Sequence, residues 1–185
     1  MVDWDRRYRE GFYHGVIEPH GLVTKFWPAI PGRRTVDIAM GSGRDALFLA
    51  EKGFFVAGLE RSMGAIDMAK KTAEEKGVGF SPVLGDAKRL PFKNNSFDAA
   101  VIFYFLLREA CDDAKRLVRK GGILMYETFL KRQNEIDGWR NPDHLLDDGE
   151  LFRYFGGFDV LFYEEVMETS GSKQRAIARA VGRKK

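Results

Sequence analysis

The sequence predicts an α/β fold with a seven-stranded, mostly parallel sheet, helices on both faces and a C-terminal antiparallel hairpin. Strand-like apolar runs alternate along the chain with amphipathic stretches at helical spacing, which is typical of a parallel sheet covered by helices. A glycine-rich turn, GSGRDA at 41–46, follows the first apolar run. The last two apolar runs lie about five residues apart, a hairpin-length connection that makes the end of the sheet antiparallel.

Length and composition indicate one globular domain. The chain has 185 residues, of which 44% are hydrophobic and 31% are charged, a balance typical of a folded soluble protein. We expect three parts within this domain. They are an N-terminal helical cap over 1–30, a cofactor-binding core over 35–129, and a substrate-side insertion with the terminal hairpin over 130–185.

Charge and cysteine content argue against several kinds of function. The formal charge of +3 comes partly from the final GRKK, so no basic surface predicts binding to nucleic acid. The charged start and the lack of a long apolar run predict neither a signal peptide nor a membrane span, so we expect a cytoplasmic protein. The single Cys111 excludes an intramolecular disulfide, and His14, His20 and His144 lack the spacing of metal ligands, so no metal site is expected.

The first half of the chain predicts two strand-helix units. A strand over 35–40 leads through the glycine turn into a helix over 45–53, which a glycine closes. A second buried strand covers 54–60. The next helix covers 62–77, with Ser62 as its N-cap and a glycine at its end.

The second half predicts five more strands. Pro82 removes a backbone donor, so the strand that contains it should lie at an edge of the sheet. A glycine pair at 121 and 122 is expected to end the helix before the fifth strand. The predicted elements are strands over 80–86, 97–105 and 123–129, helices over 108–120 and 151–157, a polar insertion over 131–150, and final strands over 158–168 and 173–183.

The N-terminal segment WDRRYRE predicts a helix with Trp4 and Tyr8 on one face, because they are four residues apart. This helix is expected either to cover a bound cofactor as a lid or to pack against the sheet in the ordinary way.

The glycine turn matches the G-x-G-x-x-A form of a dinucleotide-binding loop. Glu60 follows about 20 residues later, at the end of the second strand, where an acid holds ribose hydroxyls. A nicotinamide-dependent oxidoreductase is therefore one interpretation. A tight turn without any ligand is another.

Three features favour S-adenosylmethionine over a dinucleotide. Asp37 in the first strand would repel a pyrophosphate but attract a sulfonium or an ammonium, by up to ~4 kcal/mol at 4 Å and an effective dielectric constant near 20. Asp86 follows the third strand, where its carboxylate can accept from an adenine amine; the alternative is a turn aspartate. The chain also ends in a hairpin, without the long insertions that a second substrate of a nicotinamide enzyme needs.

These residues resemble the class I S-adenosylmethionine-dependent methyltransferases, which have a Rossmann-like fold. Asp37, Gly41 and Gly43 match the first motif of that family, with Ala39 in the place of its usual first glycine. VRKGGILMYETF at 118–129 is similar to the family's fifth-strand motif. More narrowly, WDRRYRE and the segment 141–165 resemble a small bacterial branch related to tellurite-resistance and thiopurine methyltransferases.

The resemblance implies S-adenosylmethionine as the cofactor, S-adenosylhomocysteine as the product and a small molecule as the methyl acceptor. It also implies a set of cofactor-binding residues at the ends of the first four strands. These are Asp37, Ala39, Met40, Gly41, Ser42, Gly43, Glu60, Arg61, Asp86, Ala87 and Phe103.

Tyr104 and Glu127 are the candidate catalytic residues, because open α/β sheets bind their ligands at the carboxyl ends of the strands. An oxygen or nitrogen acceptor needs a base within hydrogen-bond reach, whereas a thiolate needs none. A structural role for Glu127, tied to a loop amide or an arginine, is an equal alternative. Strand alternation predicts Phe103 and Phe105 on one side of the sheet and Tyr104 on the other.

Other side chains are candidates for contact with the acceptor. An anionic acceptor would suit a guanidinium, and a base in the acceptor loop would suit a histidine. Aromatic rings would shape an apolar pocket. The candidates are Arg6, Arg7, Arg108, Arg140, His144, Tyr126, Phe129 and Trp139.

Three other functions are alternatives to a small-molecule methyltransferase. Methylation of base amino groups is disfavoured, since IFYFLL at 102–107 lacks the Asn/Asp-Pro-Pro turn of those enzymes. A cofactor-binding regulator or pseudoenzyme of the same fold stays open because of Ala39. A nicotinamide-dependent oxidoreductase is the third alternative.

Overall fold

The computed structural model describes residues 3–13, 17–138, 140–170 and 173–185. Their strands form one seven-stranded sheet in the order β3-β2-β1-β4-β5-β7-β6. The first five strands are parallel, and β7 lies antiparallel between β5 and β6. The predicted fold class, including the terminal hairpin, is confirmed.

The strands agree with the predicted ones in number and order, and differ at their ends. They are β1 Arg34–Ile38, β2 Phe55–Glu60, β3 Ser81–Leu84, β4 Phe97–Phe103, β5 Val118–Phe129, β6 Phe158–Ser170 and β7 Lys173–Lys184. The edge position of β3, which contains Pro82, is as predicted.

Helices lie on both faces of the sheet. In the described residues they are α1 Trp4–Arg9, α2 Gly21–Phe26, α3 Arg44–Glu51, α4 Met63–Lys76, α5 Arg108–Leu117, α6 Gln133–Ile136 and α7 Glu150–Tyr154, with single 3-10 turns at Trp27–Ala29 and Pro142–His144. Within this part of the chain, no helix is both long enough and apolar enough to cross a membrane.

Two apolar layers hold the helices to the sheet. Leu22 of α2 and Leu49 of α3 pack with Val101 of β4 on one face, and Leu117 of α5 and Leu151 of α7 belong to the layer on the other face. Consecutive residues of β4 alternate between the two layers, as the twofold repeat of a strand requires. Burial on both faces explains why this strand is apolar at every position except Asp98.

The prediction that Gly121 and Gly122 end the fifth helix was wrong. Helix α5 ends at Leu117, and the glycine pair lies inside β5. The pairing between β4 and β5 is irregular here, and Gly121 takes a left-handed conformation at φ +78°. A Cβ at Gly122 would lie 2.8 Å from the backbone oxygen of Asp98, so the close approach of the two strands excludes a side chain.

The first and fourth strands end earlier than predicted, at residues with positive φ. Ala39 at φ +57° ends β1, and Tyr104 at φ +51° ends β4. The reversal at Tyr104 changes the direction of its side chain. Tyr104 packs on the same apolar layer as Phe103, and Phe105 packs on the opposite one. The predicted alternation of these three residues was therefore wrong, since it assumed a strand through 105.

Helix α1 is fixed to the start of α4 by one carboxylate. Asp5 Oδ1 accepts hydrogen bonds from the Gly64 N–H (2.7 Å) and the Ser62 hydroxyl (3.1 Å). Ser62 also caps α4, as predicted, by accepting from the Ala65 N–H. These bonds place α1 beside the loop that follows β2, at the carboxyl edge of the sheet.

Candidate functional site

The candidate site lies at the carboxyl ends of the central parallel strands. Strand β1 pairs with β2 on one side and with β4 on the other, so the connections from β1 and β4 leave the sheet in opposite directions. Open α/β sheets bind ligands in the crevice at such a switch point. The predicted residues of the first, second and fourth strands all lie around this point.

The glycine turn between β1 and α3 uses three left-handed residues. They are Ala39, Gly41 at φ +58° and Gly43 at φ +80°. A Cβ at Gly43 would lie 2.9 Å from the Cβ of Ala69, and a Cβ at Gly41 would lie 2.5 Å from the Tyr8 hydroxyl. Both glycines are therefore required by conformation and by close approach.

Glu60 holds the turn in place. Its Oε2 accepts from the Gly41 N–H (3.0 Å), and its Oε1 accepts from the N–H groups of Arg61 (2.8 Å) and Ser62 (2.9 Å). The residue is only 6% exposed. Glu60 thus links the loop after β1 to the loop after β2, where a ribose was predicted.

Asp37 lies at the bottom of the crevice with unsatisfied hydrogen-bonding capacity. The residue is 2% exposed, and its Oδ2 has no hydrogen-bond partner among the described residues. Burial, and after it the nearby carboxylate of Asp45, raises the pKa of Asp37 well above its ordinary value. A buried polar atom without a partner needs an explanation, and a bound cationic group would supply one.

The other predicted cofactor residues differ in what their side chains offer. The side chain of Met40 is buried against Ile66 and Ala69, so it cannot contact a ligand in the crevice. Ser42 is half-buried in the turn, and Arg61 is exposed beside Glu60. Asp86 is exposed and accepts from the Lys88 N–H (3.0 Å), as a turn aspartate does, whereas Ala87 is buried in the core.

The two candidate catalytic residues are in contact with each other. Glu127 is 5% exposed, and its backbone carbonyl accepts from the Tyr104 N–H (2.8 Å). The Tyr104 hydroxyl accepts from Arg175 Nη1 (3.2 Å). Burial, and after it Glu127, raises the pKa of Tyr104, so its hydroxyl stays protonated at neutral pH. Arg179 Nη1 lies 3.9 Å from Glu127, which agrees with the structural alternative as well.

Aromatic rings line the crevice beside these polar groups. Tyr104 packs at 4.8 Å from Phe129, measured between ring centroids, and the Arg140 guanidinium lies 3.9 Å from the Phe129 centroid. Tyr126, in contrast, is buried in the core with its hydroxyl bonded to the Phe105 carbonyl. Of the predicted aromatics, Trp139 lies outside the described residues.

Most of the arginines proposed for an anionic acceptor have carboxylate partners. Arg108 forms a paired contact with Glu150, with distances of 2.8 and 3.0 Å. Arg140 pairs with Asp137 at 3.0 Å, and Arg6 pairs with Glu10. The fourth arginine, Arg7, lies over the Trp4 ring. The candidate base His144 is exposed, and its Nδ1 lies 3.4 Å from the Leu106 carbonyl oxygen.

The sequence did not predict a cluster around His20 in the crevice, in which His20 contacts Asp45 and Arg44. His20 Nδ1 lies 2.5 Å from Asp45 Oδ2, and the His20 N–H donates to Asp45 Oδ1 (2.8 Å). The His20 ring stacks on Phe103 with centroids 4.0 Å apart, and its Nε2 contacts the Arg44 guanidinium. His20 precedes its partners by 24 and 25 residues, so nothing in its local sequence pattern indicated the contact.

Comparison with known proteins bears directly on this site. Residues 35–122, which contain the glycine turn, Glu60 and Asp86, match the family model described as a methyltransferase domain. Over these residues, which are just under half of the chain, the protein is thus similar to a methyltransferase domain, in agreement with the class I S-adenosylmethionine-dependent methyltransferases that the motifs resemble. The family predicted from the motifs is thus confirmed.

Several relatives carry the name of one methyltransferase. The demethylmenaquinone methyltransferase of Renibacterium salmoninarum is 33% identical over 113 residues, which cover 58% of this chain and 46% of the relative. That of Corynebacterium kroppenstedtii is 37% identical over 100 residues, covering 51% of this chain and 41% of the relative. The chain thus spans less than half the length of these two relatives.

Solved structures share the fold. TehB from Haemophilus influenzae superimposes with a TM-score of 0.78 at 21% identity, covering 98% of this chain and 67% of that one. Geranyl diphosphate methyltransferase gives a TM-score of 0.73 at 13% identity, covering 89% of this chain and 75% of that one. At these identities the likeness concerns the methyltransferase fold alone.

Proposed function

We propose that the protein is an S-adenosylmethionine-dependent methyltransferase that moves a methyl group to a small-molecule acceptor by in-line displacement. The observation that carries this proposal is the crevice at the ends of β1 and β2. There the unpartnered Oδ2 of buried Asp37 lies near a glycine turn and Glu60, within the segment that matches a methyltransferase domain. A cytoplasmic location belongs to the same proposal and rests on the sequence alone.

The residues at the crevice fit this cofactor by charge and by hydrogen-bonding capacity. Asp37 is suited to an ammonium group, because no described residue forms a hydrogen bond with its Oδ2. Glu60 has one further lone pair for a ribose hydroxyl, since a carboxylate has about four acceptor sites and three are in use. Asp86 keeps one oxygen for an adenine amine. Backbone atoms of residues 39–43, the side chain of Ser42, and Arg61, Ala87 and Phe103 complete the proposed contacts.

Bound S-adenosylmethionine supplies a methyl group on a sulfonium, which is a good leaving group because it departs as a neutral thioether. The task of the protein is then to align an acceptor, exclude water and accept a proton where the acceptor has one to lose. Tyr104 and Glu127 lie where the fourth and fifth strands end and are the proposed catalytic residues.

Tyr104 and Glu127 have different proposed roles. The raised pKa of Tyr104 makes its hydroxyl a hydrogen-bond donor, so it orients the acceptor and does not act as a base. Glu127 lies beside Tyr104 at the end of the neighbouring strand and is the group that can take a proton from an acceptor hydroxyl or amine. A thiolate acceptor has no proton to lose, so for such an acceptor only the orienting role of Tyr104 matters.

The surroundings of Tyr104 favour a small acceptor with a planar or anionic part. The rings of Tyr104 and Phe129 provide an apolar surface, and the Arg175 guanidinium lies 5.6 Å from the Tyr104 centroid. Within the described part of the chain, Arg175 has no ion pair, unlike Arg179 and Arg108. The acceptor named in the curated relatives does not carry over, because the chain spans only part of them.

The first test is calorimetric titration with S-adenosylhomocysteine, NAD and NADH at one pH and one salt concentration. We expect binding of the first ligand alone. Binding of NADH alone would overturn the proposal and support the oxidoreductase. If S-adenosylhomocysteine binds, formation of that product is then measured with thiols, phenols, carboxylic acids and oxyanions as acceptors. Binding without turnover of any acceptor would favour the regulator.

Paired variants test the catalytic roles once an acceptor is known. Tyr104→Phe and Glu127→Gln should lower kcat while leaving the affinity for S-adenosylhomocysteine unchanged. Tyr163→Phe is the matched control, because the Tyr163 hydroxyl also lies beside a carboxylate, that of Glu165 at 2.6 Å, away from the crevice. Equal kcat values for all variants would assign Glu127 and Tyr104 to structure only.

A further inference from the structure

A guanidinium lies among the carboxylates of the crevice. Arg44 begins α3 directly after the glycine turn, and its Nη1 donates weakly to the Glu18 carbonyl at 3.4 Å. The positive charge of Arg44 lowers the pKa of Asp37 and the pKa of Tyr8, in each case against larger effects that raise it. By geometry, the guanidinium lies at the start of α3, directly after the glycine turn, in contact with His20.

Two residues fix the direction of this guanidinium. Asp45 Oδ2 accepts a hydrogen bond from the Nδ1–H of His20, so Nε2 carries the ring's lone pair and accepts from Arg44. The side chains of His20 and Asp45 are only 9% and 5% exposed. A guanidinium has five N–H donors, and its contacts with Glu18 and His20 use two of them, so with respect to the residues that the structure describes three stay available to a ligand.

The charges of the proposed cofactor explain why a cation is needed here. Its methionine portion carries an ammonium, a sulfonium and a carboxylate. Asp37 suits a cation, whereas the carboxylates of Asp37, Glu60 and Asp45 all repel a ligand carboxylate. A guanidinium pairs with a carboxylate through two parallel hydrogen bonds, which also fixes the orientation of the ligand.

We propose that Arg44 binds the carboxylate of the cofactor's methionine portion, and that His20 and Asp45 are positioning residues that hold its guanidinium for this contact. The inference rests on the proposed function, since it concerns the same ligand. The alternative is purely structural: Arg44 and His20 attach the segment 17–20 to α3 and do nothing for the ligand.

Binding of two ligands distinguishes the proposed carboxylate contact from a purely structural role of Arg44, and the experiment needs no methyl acceptor. S-adenosylhomocysteine carries the amino-acid portion, and 5′-methylthioadenosine has the same nucleoside and thioether but no carboxylate. Calorimetry measures the affinity of each for the wild type, Arg44→Gln, Arg44→Lys and His20→Phe. Phenylalanine keeps the stacking on Phe103 and removes the Nε2 acceptor. Arg33→Gln, at the opposite edge of the sheet, is the matched control.

We expect Arg44→Gln to weaken S-adenosylhomocysteine by about tenfold to a hundredfold, the effect of a lost hydrogen bond to a charged group. The affinity for 5′-methylthioadenosine should change less than about twofold, since the removed interaction is absent there. His20→Phe should show the same selectivity with a smaller loss. Arg44→Lys should fall between the wild type and Arg44→Gln, because it keeps the charge without the two-pronged geometry.

Other outcomes overturn the inference. Equal losses for both ligands in Arg44→Gln and His20→Phe would mean that the cluster serves structure only. If circular dichroism shows that Arg44→Gln does not fold, the affinities of Arg44→Lys for the two ligands are compared instead. Equal affinity of the wild type for the two ligands would also refute a carboxylate contact. A wild type that binds neither ligand would refute the proposed function first and the inference with it.

Discussion

Replacement of Ala39 by glycine should stabilise the protein. Ala39 is the residue that stands where the family usually has its first glycine, and it has a left-handed backbone at φ +57°. In this conformation the Cβ of an L-residue crowds the following carbonyl, at a cost of about 1 to 2 kcal/mol. Ala39→Gly removes this strain and leaves the turn otherwise unchanged.

The opposing effect comes from the unfolded chain. Glycine has more conformations to lose on folding, which costs roughly 0.4 to 1 kcal/mol relative to alanine. At the centres of these two ranges, the difference favours the variant by about 0.8 kcal/mol. For a chain of 150 to 250 residues, that is a rise in Tm of roughly 2 to 3 °C.

The assay is urea unfolding at equilibrium, followed by circular dichroism, with thermal unfolding as a second measurement. Ala73→Gly is the matched control, because Ala73 is buried within helix α4 and the same change should destabilise there by roughly 1 kcal/mol or more. Ala39→Val should also destabilise, since a β-branched residue fits a positive φ poorly. A loss of stability in Ala39→Gly equal to that in Ala73→Gly would refute the reasoning.

Three further predictions concern charged groups. Burial raises the pKa of Asp37 above its value in the unfolded chain, so the protonated form stabilises the fold at low pH and this stability is lost as pH rises through the folded-state pKa. In urea unfolding from about pH 4 upwards, Asp37→Asn should therefore lose less stability than the wild type. An equal dependence of the unfolding free energy on pH in both proteins would contradict this. In Glu60→Gln, the side-chain NH₂ must face an N–H donor such as that of Gly41. Calorimetry should therefore show an affinity for S-adenosylhomocysteine that is lower by about tenfold to a hundredfold. Unchanged affinity would remove Glu60 from the cofactor site. Arg108→Gln should destabilise by roughly 1 to 2 kcal/mol, a value reduced for the partial exposure of this pair. It should also speed protease cleavage within 130–149, because Glu150 loses the guanidinium and, among the described residues, keeps only its bonds to Asp147 and Tyr154. Unchanged cleavage would mean that the ion pair does not hold this segment.

The sequence by itself determined the order and type of the main elements. Apolar runs with the repeat of a strand and amphipathic runs with the repeat of a helix depend on neighbours within a few residues, so they can be read without the fold. The glycine turn and Glu60 were identifiable for the same reason. Their spacing along one strand-helix-strand unit fixes their distance in space.

The ends of the strands were decided by single backbone angles and by packing. Tyr104 has a positive φ that no local pattern signals, and this turns its ring onto the layer that contains Phe103. The glycine pair at 121 and 122 has the composition of a helix stop. It lies in β5 instead, where Gly121 has a positive φ and the close approach of Asp98 on β4 leaves no room for a side chain at Gly122.

Only the tertiary structure brought together the cluster of Asp45, His20 and Arg44. His20 lies in a segment before β1, and its two partners lie after the glycine turn, so their contact exists only once the sheet has formed. The same holds for the bond of Tyr104 to Arg175, which are 71 residues apart. Local sequence thus specified the elements and the cofactor loop, whereas long-range packing decided which polar groups meet in the crevice, since those contacts depend on the folded arrangement of distant segments.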